Sequence, residues 1–199
     1  RQMFNHRPNS LNAGSLWGRP FYILREAWNI LNAIAEGKIE SGDEKKLNAL
    51  KGETMAVIAL CQFDLTRCFG YPYTKDKGAS LGAPLIDHLV GTYENPPRST
   101  VAQAYDFIIE TLEEAVTLMS EEKNNGRMNK YAARALLARI YLYHDDNRKA
   151  FDLADQLIKD ADTSGSYALY PHEKYVAAWS VEAKFGSESF FEIANSVDD

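Results

Sequence analysis

The stretch Asn129–Ala161, NKYAARALLARIYLYHDDNRKAFDLADQLIKDA, decides the fold. It holds two helical patterns around a tight polar break. The first, Lys130 to Tyr143, is apolar nearly all round and carries Ala132, Ala133, Ala135 and Ala138, small residues that let a neighbouring helix approach its backbone. It is expected to be buried. The second, after Asp146, sets Ala150, Phe151, Ala154, Leu157, Ile158 and Ala161 on one stripe at helical spacing, with Lys, Asp and Gln opposite. It is expected to cover the first. With Asp145-Asp146-Asn147-Arg148 as the turn, the stretch reads as a tetratricopeptide-like helical hairpin.

Upstream of it, Thr100 and Gln103 have capping-box spacing, and Val101, Tyr105, Ile108, Ile109, Leu112, Val116 and Met119 follow on one face of a third helix. Ser41 and Glu44 have the same spacing before a long helix whose middle, Met55 to Leu60, is apolar almost all round and which ends at Gly70 and Pro72. A further helix is expected from Pro20, placed in its first turn, to near Gly37, with Phe21, Leu24, Ala27, Trp28 and Leu31 in its stripe. Residues 1–18 read as irregular. Between Gly70 and Ser99 the periodicity stops, and Ala83 to Val90 is expected to hold a short extended piece. After Tyr167 the chain is aromatic and irregular; Tyr175 and Trp179 read as core, and ESFFEIAN as a strand whose partner lies outside this sequence. The fold class is therefore all-α: stacked tetratricopeptide-like hairpins with long irregular loops.

A net charge of −6 argues against a nucleic-acid backbone as the main partner, since phosphate binding needs clustered Lys and Arg. No apolar run reaches the roughly 20 residues of a membrane span. Cys61 and Cys68, seven residues apart on one helix, lie about 10 Å apart along its axis. A disulfide needs Cα atoms within about 7 Å, so both read as thiols packed in the core. The four histidines, His6, His88, His144 and His172, fall in no metal-ligand spacing, so no metal or cofactor is expected. His144-Asp145-Asp146 occupies the turn of the hairpin, where Asp caps helices. Glu113-Glu114 and Glu121-Glu122 lie on or beside a polar helix face, not across a cleft as glycoside hydrolysis requires. No nucleophile elbow, phosphate-cradling loop or dinucleotide fingerprint occurs, and the chain is not expected to be an enzyme. Arg134 and Arg139, on an otherwise apolar helix, are expected to be tied to carboxylates or loop carbonyls.

In order, the segments FYILREAWNILNAI, KGETMAVIALCQFDLTRCFGYPY, GAPLI, RSTVAQAYDFIIETLEEAV, GRMNKYAARALLARIYLYHDDNRKAFDLADQLI and SESFFEI resemble the N-terminal part of the SusD/RagB-like family of outer-membrane glycan-binding lipoproteins. Trp28 departs from the pattern, standing where members commonly have Asn. The resemblance implies a single N-terminal domain over residues 1–199 of a longer protein. It also implies an N-terminal lipid anchor outside this sequence, residence at the cell surface on the outer membrane, and non-catalytic capture of polysaccharide or oligosaccharide. The implied partner is a TonB-dependent, SusC-like transporter.

Sugar rings present flat C–H faces between hydroxyls, so a site for them uses exposed aromatic rings flanked by polar groups. Trp17, Tyr71 and Tyr73 are the candidate ligand-binding residues, because they stand in irregular segments beside helix ends. The competing expectation is a tetratricopeptide scaffold that binds a protein segment in its concave face.

Overall fold

Helix follows helix through most of the chain. The computed structural model describes residues 11–39, 41–124, 126–179 and 185–193. In order, its elements are α1 (Leu11–Ala35), α2 (Glu44–Phe69), β1 (Leu81–Pro84), β2 (Arg98–Thr100), α3 (Val101–Leu118), α4 (Lys130–Tyr143), α5 (Asn147–Ser164) and the four-residue α6 (His172–Tyr175). Each long helix packs on the next, α1 on α2 through to α4 on α5. The all-α, tetratricopeptide-like expectation is met.

The caps explain where the helices begin. Thr100 and Gln103 form the expected capping box at α3. Asn129 caps α4 by accepting the Ala132 N–H at 3.0 Å, and Asp146 caps α5 by accepting that of Lys149 at 3.2 Å. At α2 the cap is Asp43, which accepts the N–H groups of Lys45 and Lys46, while Ser41 folds back onto the backbone of Asp43. A carboxylate two residues nearer the helix takes the role expected of the serine.

The main core lies between α2, α3 and α4. Met55, Ala56, Ala59 and Phe63 meet Val101, Ala104, Tyr105, Ile108 and Leu112, which meet Ala132, Ala133, Leu136 and Ile140 in turn. Gly52 sets the closeness of α2 to α3: a Cβ there would lie 2.7 Å from Met119 Cγ and 2.9 Å from the Ala115 carbonyl oxygen. A second cluster joins Leu24 and Ala27 of α1 to Ile58, Cys61 and Leu65 of α2 and to Ala83 and Ile86 beyond.

Several expectations are corrected. Helix α1 begins at Leu11, so Pro20 stands well inside it and residues 11–18 are helical; residues 1–10 lie outside the described residues. The extended piece is β1, paired antiparallel with β2 and starting two residues before Ala83. Cys61 is buried but Cys68 is exposed, because the last turn of α2 runs past the core. Helix α5 buries Ala150, Leu157 and Ala161 and leaves Phe151 and Ile158 exposed. The three buried residues meet α4, Ala150 within the main core and Leu157 and Ala161 beside Tyr131. Tyr175 and Trp179 are exposed, with edge-to-face rings 6.1 Å apart, and form no core. The expected strand ESFFEIAN is irregular through Ile193; its last two residues lie outside the described residues. Phe190 leaves that segment to stack parallel to Tyr131 and to meet Tyr167 at 4.7 Å. Arg134 is paired as expected, 2.7 Å from Asp160, whereas Arg139 is exposed to solvent and needs no partner there.

Candidate functional site

The sequence from Gly82 to Pro96 is held by side chains where a regular sheet would use backbone. Arg98 donates to the carbonyls of Gly82 at 2.6 Å and Leu81 at 3.0 Å, and Ser99 Oγ donates to that of Ala83 at 3.1 Å. Further along, Gln62 and Trp28 reach from α2 and α1 to the backbone of Pro84 and Ile86. The tip then closes on itself. His88 Nδ1 lies 2.6 Å from Asp87 Oδ1 and its Nε2 lies 2.7 Å from Glu94 Oε1, while Glu94 Oε2 accepts the Gly91 N–H at 3.0 Å. Hydrogen bonds to Asp87 first, then to Glu94, raise the His88 pKa. The Gly91 N–H first, then His88, lowers that of Glu94.

Between this loop and the first turns of α1 is a cleft of about 580 Å³, lined by Trp17, Phe21 and Arg25 on one side and by Pro84, Ile86 and residues of 90–96, Thr92 and Asn95 among them, on the other. Trp17, Phe21 and Arg25 recur every four residues and so share one face of α1. Trp17 is 40% exposed, yet its ring is braced edge-on by Phe21 at 5.0 Å and by Phe69 at 4.7 Å. A braced, exposed aromatic ring beside a guanidinium, an amide and a hydroxyl can stack on an apolar ring face and bond the hydroxyls around it. Among the described residues, no group of three or more His, Cys, Asp or Glu side chains could hold a metal ion.

The three sequence candidates are not brought together. Trp17 lines the cleft. Tyr71 is exposed, but the Lys75 ammonium sits 3.1 Å from its ring centre, and neither Tyr71 nor Tyr73 lines the cleft. Tyr73 is half-buried, edge-on to Tyr105 at 5.7 Å and against His144 at 4.2 Å, so its ring serves packing. Phe21, Arg25, Thr92 and Asn95 were not among the candidates. The signal for the first two is the four-residue recurrence from Trp17, visible once the helix is started before Pro20.

A second hollow of about 420 Å³ lies between α3, α4 and α5, with Val116, Leu137 and Leu153 as its apolar floor. Its polar rim is engaged internally: Tyr141 donates to Glu113, Arg134 pairs with Asp160, and Lys149 lies over the Tyr141 ring.

The chain is similar in structure to a SusD superfamily protein from Bacteroides thetaiotaomicron VPI-5482, at 39% identity and a TM-score of 0.85 over 92% of this chain and 39% of that one. It is similar also to a proposed sugar binding protein from Bacteroides vulgatus ATCC 8482, at 38% identity and a TM-score of 0.84 over 92% of this chain and 41% of that one. Surface glycan-binding protein A from Bacteroides uniformis shares the fold at 20% identity, with a TM-score of 0.73 over 90% of this chain and 38% of that one. The chain thus spans about two-fifths of the length of these solved structures. No curated protein gives a significant match to the sequence. A sequence model of the SusD-like family, described as starch-binding and associating with the outer membrane, matches residues 3–142, and the chain belongs to that family.

Proposed function

We propose that the cleft between α1 and the 84–96 loop holds a glycan, and that the protein captures it at the outer membrane for import without making or breaking a bond. The observation that carries this is Trp17, braced by two rings yet open on a cleft that also presents Arg25, Thr92 and Asn95. Family membership supports the ligand class, as do the names of two structural relatives, the glycan-binding protein above and a laminarin binding SusD-like protein. Tyr71 is proposed as an outlying platform for a longer chain, available once Lys75 swings aside; Tyr73 would act by holding that turn in place. A surface lipoprotein passing its cargo to a TonB-dependent, SusC-like transporter is the setting proposed from the family.

The test is a titration of the full-length protein with starch, laminarin and a broad set of other polysaccharides, read by calorimetry and by retardation in polysaccharide-loaded gels. Binding to at least one is expected, with the polymer unchanged afterwards. No binding across the set would remove the glycan reading, and release of shorter sugars would remove the non-catalytic one. Co-purification of a TonB-dependent barrel from outer membranes checks the partner.

A further inference from the structure

Gln62 is the one long polar side chain in the buried middle of α2, where its neighbours are Ala59, Cys61, Phe63 and Leu65. It is 0% exposed. A buried amide is costly unless each of its ends is satisfied. Both ends here face the same short backbone segment. Nε2 donates to the Pro84 carbonyl at 3.1 Å, and Oε1 accepts the Ile86 N–H at 3.3 Å. The side chain therefore acts as one peptide unit of a neighbouring strand would, spanning Leu85 and continuing the pairing past the end of β1. Trp28 completes the arrangement, its indole N–H donating to the Ile86 carbonyl at 3.1 Å. Both backbone polar groups of Ile86 are thus held by side chains, one from each of the first two helices. Pro84 and Ile86 are also the point at which the loop enters the cleft wall.

We propose that Gln62 and Trp28 are positioning residues that set the width of the cleft by fixing the backbone of Pro84–Ile86 against α1 and α2. This rests on the glycan reading for its consequence, though its geometry does not. Neither residue need touch the ligand. Gln62, buried beneath the loop, acts through Ile86, and the loop from Asp87 onward, including Thr92 and Asn95, hangs from the point so fixed. An apolar side chain at position 62 would fill the space but leave the Pro84 carbonyl and the Ile86 N–H unpaired, so the loop would move to find water for them.

Three variants of the full-length protein test it: Gln62→Met, which keeps the volume and loses both bonds, Gln62→Glu, and Trp28→Phe. Glutamate restores the amide geometry only when protonated, since its O–H can then donate to the Pro84 carbonyl; ionised, it presents oxygen to oxygen. Burial raises the pKa of such a carboxyl, placing its titration within reach of ordinary buffers. Circular dichroism first establishes that each variant is folded.

Amide exchange at Ile86 and through residues 87–91 is then followed in the free protein from pH 5 to 9, as rates relative to intrinsic ones. Affinity is followed in parallel for whichever of starch or laminarin oligosaccharides the unmodified protein retains. Gln62→Met is expected to exchange faster and bind about tenfold more weakly at every pH. Gln62→Glu is expected to match the unmodified protein in acid and to lose about tenfold as the carboxyl ionises. The unmodified protein, run alongside, subtracts what Asp87, His88 and Glu94 contribute.

Trp28→Phe leaves α2 untouched and is expected to weaken binding several-fold; it decides the outcome if neither variant at 62 folds. Unchanged exchange and affinity in the folded variants overturn the proposal. If the unmodified protein retains neither sugar, the glycan reading fails, and the exchange rates alone decide whether the loop is fixed from position 62.

Discussion

His88 shows how much of this surface rests on single titrating groups. Its raised pKa means that the protonated ring binds Asp87 and Glu94 fully below the usual imidazole range, and that this contribution is lost as pH climbs through the raised value. Glu94 has the opposite sign: its lowered pKa gives a contribution present above the usual carboxylate range and lost as pH falls through the lowered value. The clasp is therefore strongest between the two, in mildly acid to near-neutral solution. All three side chains are about half exposed, so salt weakens it. Exchange of the Gly91 amide, taken relative to its intrinsic rate, is expected to pass through a minimum in that window, and His88→Gln should flatten the alkaline side. A profile with no minimum would show that the clasp does not hold the loop. The imidazole and the adjacent Asp87 stand side by side in the sequence, but the bond to Glu94 was not legible, because Glu94 reaches the ring only after the chain turns at Gly91.

At the scale of elements, Asn129 ties three of them. Its Oδ1 caps α4, while its Nδ2 donates to the Glu122 carbonyl at 3.2 Å in the α3–α4 turn and to Tyr167 Oη at 2.7 Å beyond α5. Losing a cap costs about 1 kcal/mol, and leaving a buried partner unsatisfied costs about 1 to 3 kcal/mol. Asn129→Ala is therefore expected to destabilise the domain by about 2 to 4 kcal/mol in denaturant unfolding. Asn129→Asp, which keeps the cap and loses the donors, should fall between it and the unmodified chain; equal losses would show that the cap contributes nothing. The capping side of this was legible: Thr100, Asp146 and the polar break before Lys130 mark helix starts because a short acceptor must precede an apolar period. What pattern alone leaves open is which face of a helix is inward when apolar residues occupy two adjacent stripes. On α5 the expected stripe takes in Ala150, Phe151, Ala154, Leu157, Ile158 and Ala161 together, yet Ala150, Leu157 and Ala161 are buried while Phe151 and Ile158 are exposed. Contact with α4 selects Ala150, Leu157 and Ala161, and that contact belongs to the partner helix. The start of α1 was missed for a related reason: Asn12, Gly14, Ser15 and Gly18 weaken the period before Pro20, so the turn carrying Trp17 read as irregular.

For the molecule as a whole, the helical frame matters because it brings the start of α1 against a loop that follows α2. Family and fold were readable from six short segments in order. The cleft was not, because its two walls are about seventy residues apart in the chain, and only Trp17 carried a signal of its own. That separation also sets what a substitution at Trp17 should do. The ring packs edge-on against Phe21 and Phe69, contacts worth about 0.5 to 1.5 kcal/mol each. Trp17→Ala is thus expected to lower stability modestly while weakening glycan binding by about tenfold or more, as removal of a central aromatic anchor does. Trp17→Phe should keep most of the binding, because a ring face remains. Tyr73→Ala should behave in reverse, since its ring supports Tyr105 and His144 away from the cleft: a clear loss of thermal stability with affinity nearly unchanged for the folded fraction. Tyr71→Ala should affect long polymers more than short oligosaccharides. If thermal unfolding and titration are measured on all four variants, binding loss should follow position along the cleft and stability loss should follow burial. Trp17→Ala retaining full affinity while Tyr71→Ala loses it would move the ligand from the cleft to the turn after α2.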